Sequence, residues 1–239
     1  MAAASREREL TLAANAELRI DGDVRVWTFP LDPSEDVVVR LSGVLSPDEQ
    51  ARADRFVFDR DRRRFRAARG WLRTLLGRCL EIDPAAVRFE YSKTGKPCLP
   101  AAPLHFNLAH SDDLAVVAVT GVAPVGIDVE RVRPLEHAAD LVARFFSPRE
   151  TRVFQSLPSD RQLTAFFNLW TRKEAVLKAT GAGLTTPLHR VEVSFLPDAP
   201  ARLIAIDQRP DLAAAWRIDH LSPCDGFVGA VAIERPQNV

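Results

Sequence analysis

Two acids in the run Gly126-Ile127-Asp128-Val129-Glu130 stand two residues apart inside an otherwise apolar stretch that reads as a strand. Alternation puts the side chains of Asp128 and Glu130 on one face of such a strand. Two carboxylates side by side repel each other unless a cation lies between them, and oxygen donors with no nearby His or Cys select magnesium over zinc. A solvent-facing strand of alternating polarity has the same spacing. In a second run, residues 166–178, Trp170, Glu174 and Lys178 recur every four residues and share one face of a helix, with Phe167, Lys173 and Leu177 on the neighbouring one. An exposed Glu–Lys pair, adding only about 0.2–0.5 kcal/mol to a helix, would be spaced in the same way. Gly181 supplies the stop for this helix, and Ala182-Gly183-Leu184 a flexible loop.

A third segment, Phe106-Asn107-Leu108-Ala109-His110-Ser111, follows Lys93-Thr94-Gly95-Lys96-Pro97. His110 is placed just before a strand, and a lone histidine or a lysine beside a turn glycine is commonly structural. Lysine usage adds a signal. Of 32 basic residues only four are lysine, Lys93, Lys96, Lys173 and Lys178, and they fall in two short segments. Either an Arg-rich background clusters them by accident, or these segments use a compact ammonium, which serves phosphate as a point charge.

The elements that would position these residues occur twice. Leu45-Ser46-Pro47-Asp48-Glu49 is matched by Phe146-Ser147-Pro148-Arg149-Glu150, each a helix start with a serine cap and proline at the first helical position. The offset is 101 residues. It recurs for probable strands at residues 24–29 and 125–130 and for amphipathic helices starting near Phe65 and Phe166. Further strands are predicted at residues 87–91, 114–120, 191–195 and 227–233. The pattern is α+β, given twice, and predicts a segment 1–22 of flexible chain, a subdomain over 23–122 and a like one over 123–239, with a ligand cleft between them. At this offset Asp128, Glu130 and Glu174 correspond to Trp27, Phe29 and Arg73. A purely structural repeat gives no reason for that asymmetry, so the second half is the one expected to carry chemistry.

Together these segments resemble the Sfp-type 4'-phosphopantetheinyl transferases. The resemblance rests on Gly95-Lys96-Pro97, on residues 106–111, 126–130 and 145–150, and on Trp170-x-x-Lys173-Glu174-Ala175-x-x-x-Lys178, in that order, and it spans about residues 41–195. It implies a pseudo-twofold α+β fold and an enzyme that moves the 4'-phosphopantetheine arm of coenzyme A to a serine of an apo acyl or peptidyl carrier protein, releasing 3',5'-ADP. It makes Asp128, Glu130 and Glu174 the magnesium ligands, Glu174 also the base, and Lys178 a contact to the pyrophosphate. His110 and Arg64 would hold the 3'-phosphate, with Lys96 and Ser111 lining the nucleotide site. Of two basic residues expected near the first helix Arg52 matches one, while Glu49 stands at the other. The partners implied are coenzyme A and carrier proteins of fatty acid, polyketide or nonribosomal peptide synthesis. A coenzyme A or nucleotide binding module without transfer, or a magnesium phosphohydrolase, is the competing reading; the intact acid triad argues against the first.

Bulk composition agrees with a soluble globular chain: 239 residues, 46% hydrophobic and 27% charged, with a formal charge of zero that gives no long-range attraction to nucleic acid. Residues 1–20 lack the apolar stretch of a secretion signal and no later run reaches membrane-spanning length, which predicts a cytoplasmic protein, taken to be a monomer. Cys79, Cys98 and Cys224, scattered and odd in number, fit neither a disulfide framework nor a zinc site.

Overall fold

The computed structural model describes residues 17–19, 23–100, 102–181 and 186–235. The first half runs β1 (Glu17–Arg19), β2 (Val24–Pro30), α1 (Glu35–Gly43), α2 (Pro47–Ala53), α3 (Asp59–Leu80), β3 (Glu90–Tyr91), β4 (Pro97–Cys98), β5 (His105–Ser111) and β6 (Leu114–Thr120). The second runs β7 (Val125–Arg131), α4 (Ala138–Phe145), α5 (Pro148–Gln155), α6 (Ser159–Thr180), β8 (Val191–Val193), β9 (Leu203–Ile206), β10 (Trp216–Leu221) and β11 (Phe227–Glu234). This is an α+β molecule of two similar halves. Strand β2 and its counterpart β7 have seven residues each, and the long helices α3 and α6 have 22 each.

Both short helices begin with a capping box, in which Ser46 N donates to Glu49 Oε2 and Ser147 N to Glu150 Oε2, each at 3.0 Å. Both glutamates then reach inward. Glu49 accepts from Arg69 Nε at 2.6 Å and Arg73 Nε at 2.5 Å, while Glu150 pairs with Lys173 Nζ at 2.7 Å and accepts from Val193 N at 3.0 Å. In each half one buried carboxylate therefore ties the short helix to the long one. Glu49 is accounted for by the fold, which explains an acid where a nucleotide-facing base was expected. Lys173 is wholly buried and also donates to the carbonyls of Leu188 and Val191, so its ammonium is internal and does not serve a phosphate.

The strands form two main sheets, β1-β2-β6-β5 and β10-β11-β7, with antiparallel pairing throughout. One face of the first sheet packs on α3 through Trp27, Phe29, Leu72, Leu76 and Val117, and one face of the second on α6 through Leu169, Val176, Val228 and Ala230. The remaining faces share a third core containing Val26, Val116, Ile127, Val129 and Val231. Strands covered on both sides are near-continuous in apolar residues, as in Leu114–Thr120, and this is why they are legible.

Four readings shift. Helices α3 and α6 start at Asp59 and Ser159, about two turns before the first phenylalanine, because their opening turns are polar and show no apolar period. The strand expected over 87–91 is only Glu90–Tyr91, since Pro84–Ala86 forms a 3-10 turn. His110 lies within β5, not ahead of a strand, and β10 carries no alternation clear enough to predict. Within the segment 1–22, Glu17–Arg19 pairs with β2; the rest of that segment, and the loop 182–184, lie outside the described residues.

Candidate functional site

Strand β7 alternates strictly: Val125, Ile127 and Val129 point into the core between the sheets, so Gly126, Asp128 and Glu130 share the opposite face. That face fronts α6. At Gly126 strand and helix touch backbone to backbone, and a Cβ there would lie 2.0 Å from Ala175 O and 2.3 Å from Ala179 N. A glycine inside a strand pattern is the sequence mark of such an approach. The close seat brings the last turns of α6 over the acids of β7, and Lys178 Nζ lies 2.6 Å from Asp128 Oδ1. Glu174, one turn earlier, is buried beside them, while Trp170 packs into the second-half core against Phe146 and Phe166.

The edge strands β5 and β7 are joined by side chains. Ile127 N donates to Asn107 Oδ1 at 2.9 Å and Arg131 N to Ser111 Oγ at 3.1 Å, and the equal separation of 20 residues makes the two strands parallel neighbours. Ser111 Oγ in turn donates to Glu130 Oε2 at 2.7 Å. Polar Asn107, His110 and Ser111 break the apolar pattern of β5 because two of them hold the neighbouring strand. Asn107 and Gly126 are the residues that sequence reasoning overlooked.

Electrostatics distinguishes this cluster. Burial pushes the Asp128 carboxyl up to about 7; Lys178 pulls it down, and Glu130 and Glu174 push it up again. Burial likewise raises Glu174, against Lys178 and with Glu130. Carboxylates gathered in this way need positive charge, and Lys178 supplies part of it at Asp128 and Glu174. Asp128 Oδ2 is buried without a hydrogen-bond partner. The donor set, all oxygen, with one orphaned buried lone pair, fits a hard divalent cation in kind. Among the described residues no three such side chains yet close on one point.

The remaining predicted residues divide. His110 is held below its usual range by surrounding protein and by the cations of Lys178 and Arg64, against Glu130, so it belongs to the cluster. Arg64 reaches the same region with its guanidinium occupied, by Asp32 through Nε and Nη2 at 2.9 and 2.6 Å and by Asp112 through Nη1 at 3.0 Å. Arg52 stands apart, over the Phe65 ring at 5.4 Å, in a cleft shared with Arg55, Arg69 and Tyr91. Lys96 Nζ points to the backbone carbonyls of Val125, Lys178 and Ala179, at the start of β7 and the end of α6.

Residues 124–232 match the model of the 4'-phosphopantetheinyl transferase superfamily, and residues 30–121 match that of the 4'-phosphopantetheinyl transferase N-terminal region. Among curated proteins, the chain is 42% identical over 218 residues to 4'-phosphopantetheinyl transferase HetI of Nostoc sp., covering 90% of this chain and 89% of that one. It is 33% identical to a putative 4'-phosphopantetheinyl transferase of Synechocystis sp., over 73% of this chain and 74% of that one. With 4'-phosphopantetheinyl transferase Sfp of Bacillus subtilis it shares 29% identity over 87% of this chain and 89% of the relative. No helix among the described residues is long and apolar enough to cross a membrane.

Proposed function

The chain belongs to the 4'-phosphopantetheinyl transferase superfamily, and from that premise we propose that the face shared by β7 and α6 is where it performs the transfer. It is a transferase that moves the phosphopantetheine group of coenzyme A to a carrier protein. Asp128, Glu130 and Glu174 would hold a magnesium ion, which when bound supplies charge neutralisation at the pyrophosphate. The observation that carries this assignment is the buried, unpartnered Asp128 Oδ2, whose carboxyl the neighbouring Glu130 and Glu174 push up.

The chain's own residues then divide the chemistry. The carrier serine hydroxyl attacks the β-phosphorus of coenzyme A; the new Ser O–P bond forms as the bond to the nucleotide oxygen breaks, and 3',5'-ADP leaves. Glu174, whose carboxyl burial raises above the ordinary glutamate value, accepts the serine proton. The Lys178 ammonium faces the departing phosphate, its charge balanced at rest by Asp128. His110, Arg64, Ser111 and Lys96 would border the nucleotide, with Arg52, over the Phe65 ring, an outer contact. We take the protein to act as a cytoplasmic monomer built from residues 23–122 and 123–239. A binding module without transfer finds no support, since the relatives matched along most of the chain bear the transferase name.

The test is incubation with coenzyme A, magnesium and a panel of apo acyl and peptidyl carrier proteins, read by intact mass. The expected result is a gain of one phosphopantetheine on at least one carrier. No gain on any carrier, in an assay where a known transferase loads them, would refute the proposal.

A further inference from the structure

The last turn of a helix leaves carbonyls without intrahelical donors. On α6 two of them, Lys178 O and Ala179 O, are satisfied from the other half of the molecule, as is the following Gly181 O. Lys96 Nζ donates to Lys178 O at 2.5 Å and to Ala179 O at 3.3 Å, Thr94 Oγ1 donates to Gly181 O at 2.7 Å, and Thr180 Oγ1 turns back to Leu177 O at 2.9 Å. The third hydrogen of the Lys96 ammonium goes to Val125 O, the first residue of β7, at 3.0 Å. An ammonium offers three donors and no acceptor, and a positive charge at a helix C-terminus is favoured by the backbone dipoles.

The turn that presents these two side chains is itself fixed. Gly95 N donates to Ser92 O at 2.9 Å, Lys96 N and Thr94 N donate to Ser92 Oγ at 3.0 and 3.3 Å, and Gly95 takes a φ of +84° that favours glycine. One rigid turn of the first half therefore grips the end of the helix that carries Glu174 and Lys178 together with the start of the strand that carries Asp128 and Glu130. A shift of about 1 Å in such a pairing is enough to cost about 100-fold in rate.

We propose that Lys96, with Thr94, is a positioning residue of the transfer reaction: a cap supplied in trans by the first half that keeps Glu174 and Lys178 in register with Asp128, its ammonium serving the helix end and not coenzyme A. The inference rests on the transferase reading above.

Lys96→Met and Thr94→Val in the full chain test it. For Lys96→Met we expect kcat to fall about 10- to 100-fold while the Kd of coenzyme A, titrated without carrier, stays within about twofold. In the free protein, amides of the last turn of α6 exchange hydrogen faster while those of α3 do not. Thr94→Val, which removes the hydroxyl's hydrogen bonds to Gly181 O and with Ser92 Oγ, moves the same two readouts in the same direction by about fivefold, and it decides the matter if Lys96→Met does not fold. Coenzyme A affinity falling in step with turnover would make Lys96 a ligand and overturn the proposal, as would unchanged exchange at the end of α6 in both variants. A wild-type protein that loads no carrier would instead refute the transferase reading, and the exchange data would still judge the cap.

Discussion

Gly126 and Ala175 bring β7 and α6 into backbone contact: a Cβ added to Gly126 would lie 2.0 Å from the Ala175 carbonyl oxygen. The neighbouring atoms are main chain and cannot rotate away. Gly126→Ala must push the helix off the strand, moving Lys178 away from its 2.6 Å contact with Asp128. We expect a loss of stability of about 3 kcal/mol, the upper end for overpacking, together with a fall in turnover of at least about tenfold. Urea denaturation and single-turnover kinetics measure both, and a variant with wild-type values would show that the contact does not set the site.

The roles proposed for Glu174 and Lys178 differ, and substitution should separate them. Glu174→Gln keeps an oxygen donor but removes the base, so turnover should fall far more than coenzyme A affinity. Lys178→Ala should lower turnover and weaken coenzyme A together, because an ammonium near the pyrophosphate stabilises bound substrate and leaving group alike. Single-turnover rates and equilibrium titration of both variants check this; identical profiles would require another base.

Ser111 holds Glu130 Oε2 at 2.7 Å and receives Arg131 N at 3.1 Å. Partners that orient a metal ligand typically change metal affinity about 10- to 100-fold when removed. Ser111→Ala should therefore raise the magnesium concentration giving half-maximal rate by about tenfold, with the maximal rate largely recovered at saturation. Titration of magnesium against initial rate reads the shift directly.

These effects mark where the sequence is readable and where it is not. The spacing of Asp128 and Glu130 places them on one face because a strand leaves no alternative, and the capping boxes at Ser46 and Ser147 place two helix starts. The four-residue spacing of Glu174 and Lys178 puts both beside β7, but whether the helix lands on that strand depends on Gly126, whose role is visible only in the packed pair. Lysines show the same limit. Lys173 and Lys178 sit five residues apart in one helix, and one is internal with Glu150 while the other meets Asp128. Composition cannot tell a phosphate contact from a buried tie, because both need an ammonium and differ only in what the fold brings opposite it.

Glu49 offers a stability test away from the chemistry. Burial raises its carboxyl, but Arg69, the Ser46 backbone N–H and Arg73 outweigh it, so the folded pKa lies below the ordinary glutamate value of 4.5. A depressed folded pKa gives stability that is present above the unfolded value and is lost as pH falls through the folded one. Wild-type protein should therefore lose stability on acidification below about pH 4.5 in part through this group. Glu49→Gln should be less stable at pH 7 by about 3–5 kcal/mol, the usual result of breaking a buried ion pair, with a shallower decline in acid. Thermal melts from pH 7 to pH 3 compare the two slopes.

On the proposed reading, carboxylates on the shared face of β7 and α6 hold the ion that transfer requires, and Asp128→Ala tests this most directly. The substitution removes a buried charge beside Lys178, so the fold should survive, as circular dichroism and a melt would record. With coenzyme A, excess magnesium and an apo carrier that the wild type loads, the carrier should gain no phosphopantetheine mass. A folded Asp128→Ala variant that loads the carrier at the wild-type rate would contradict it.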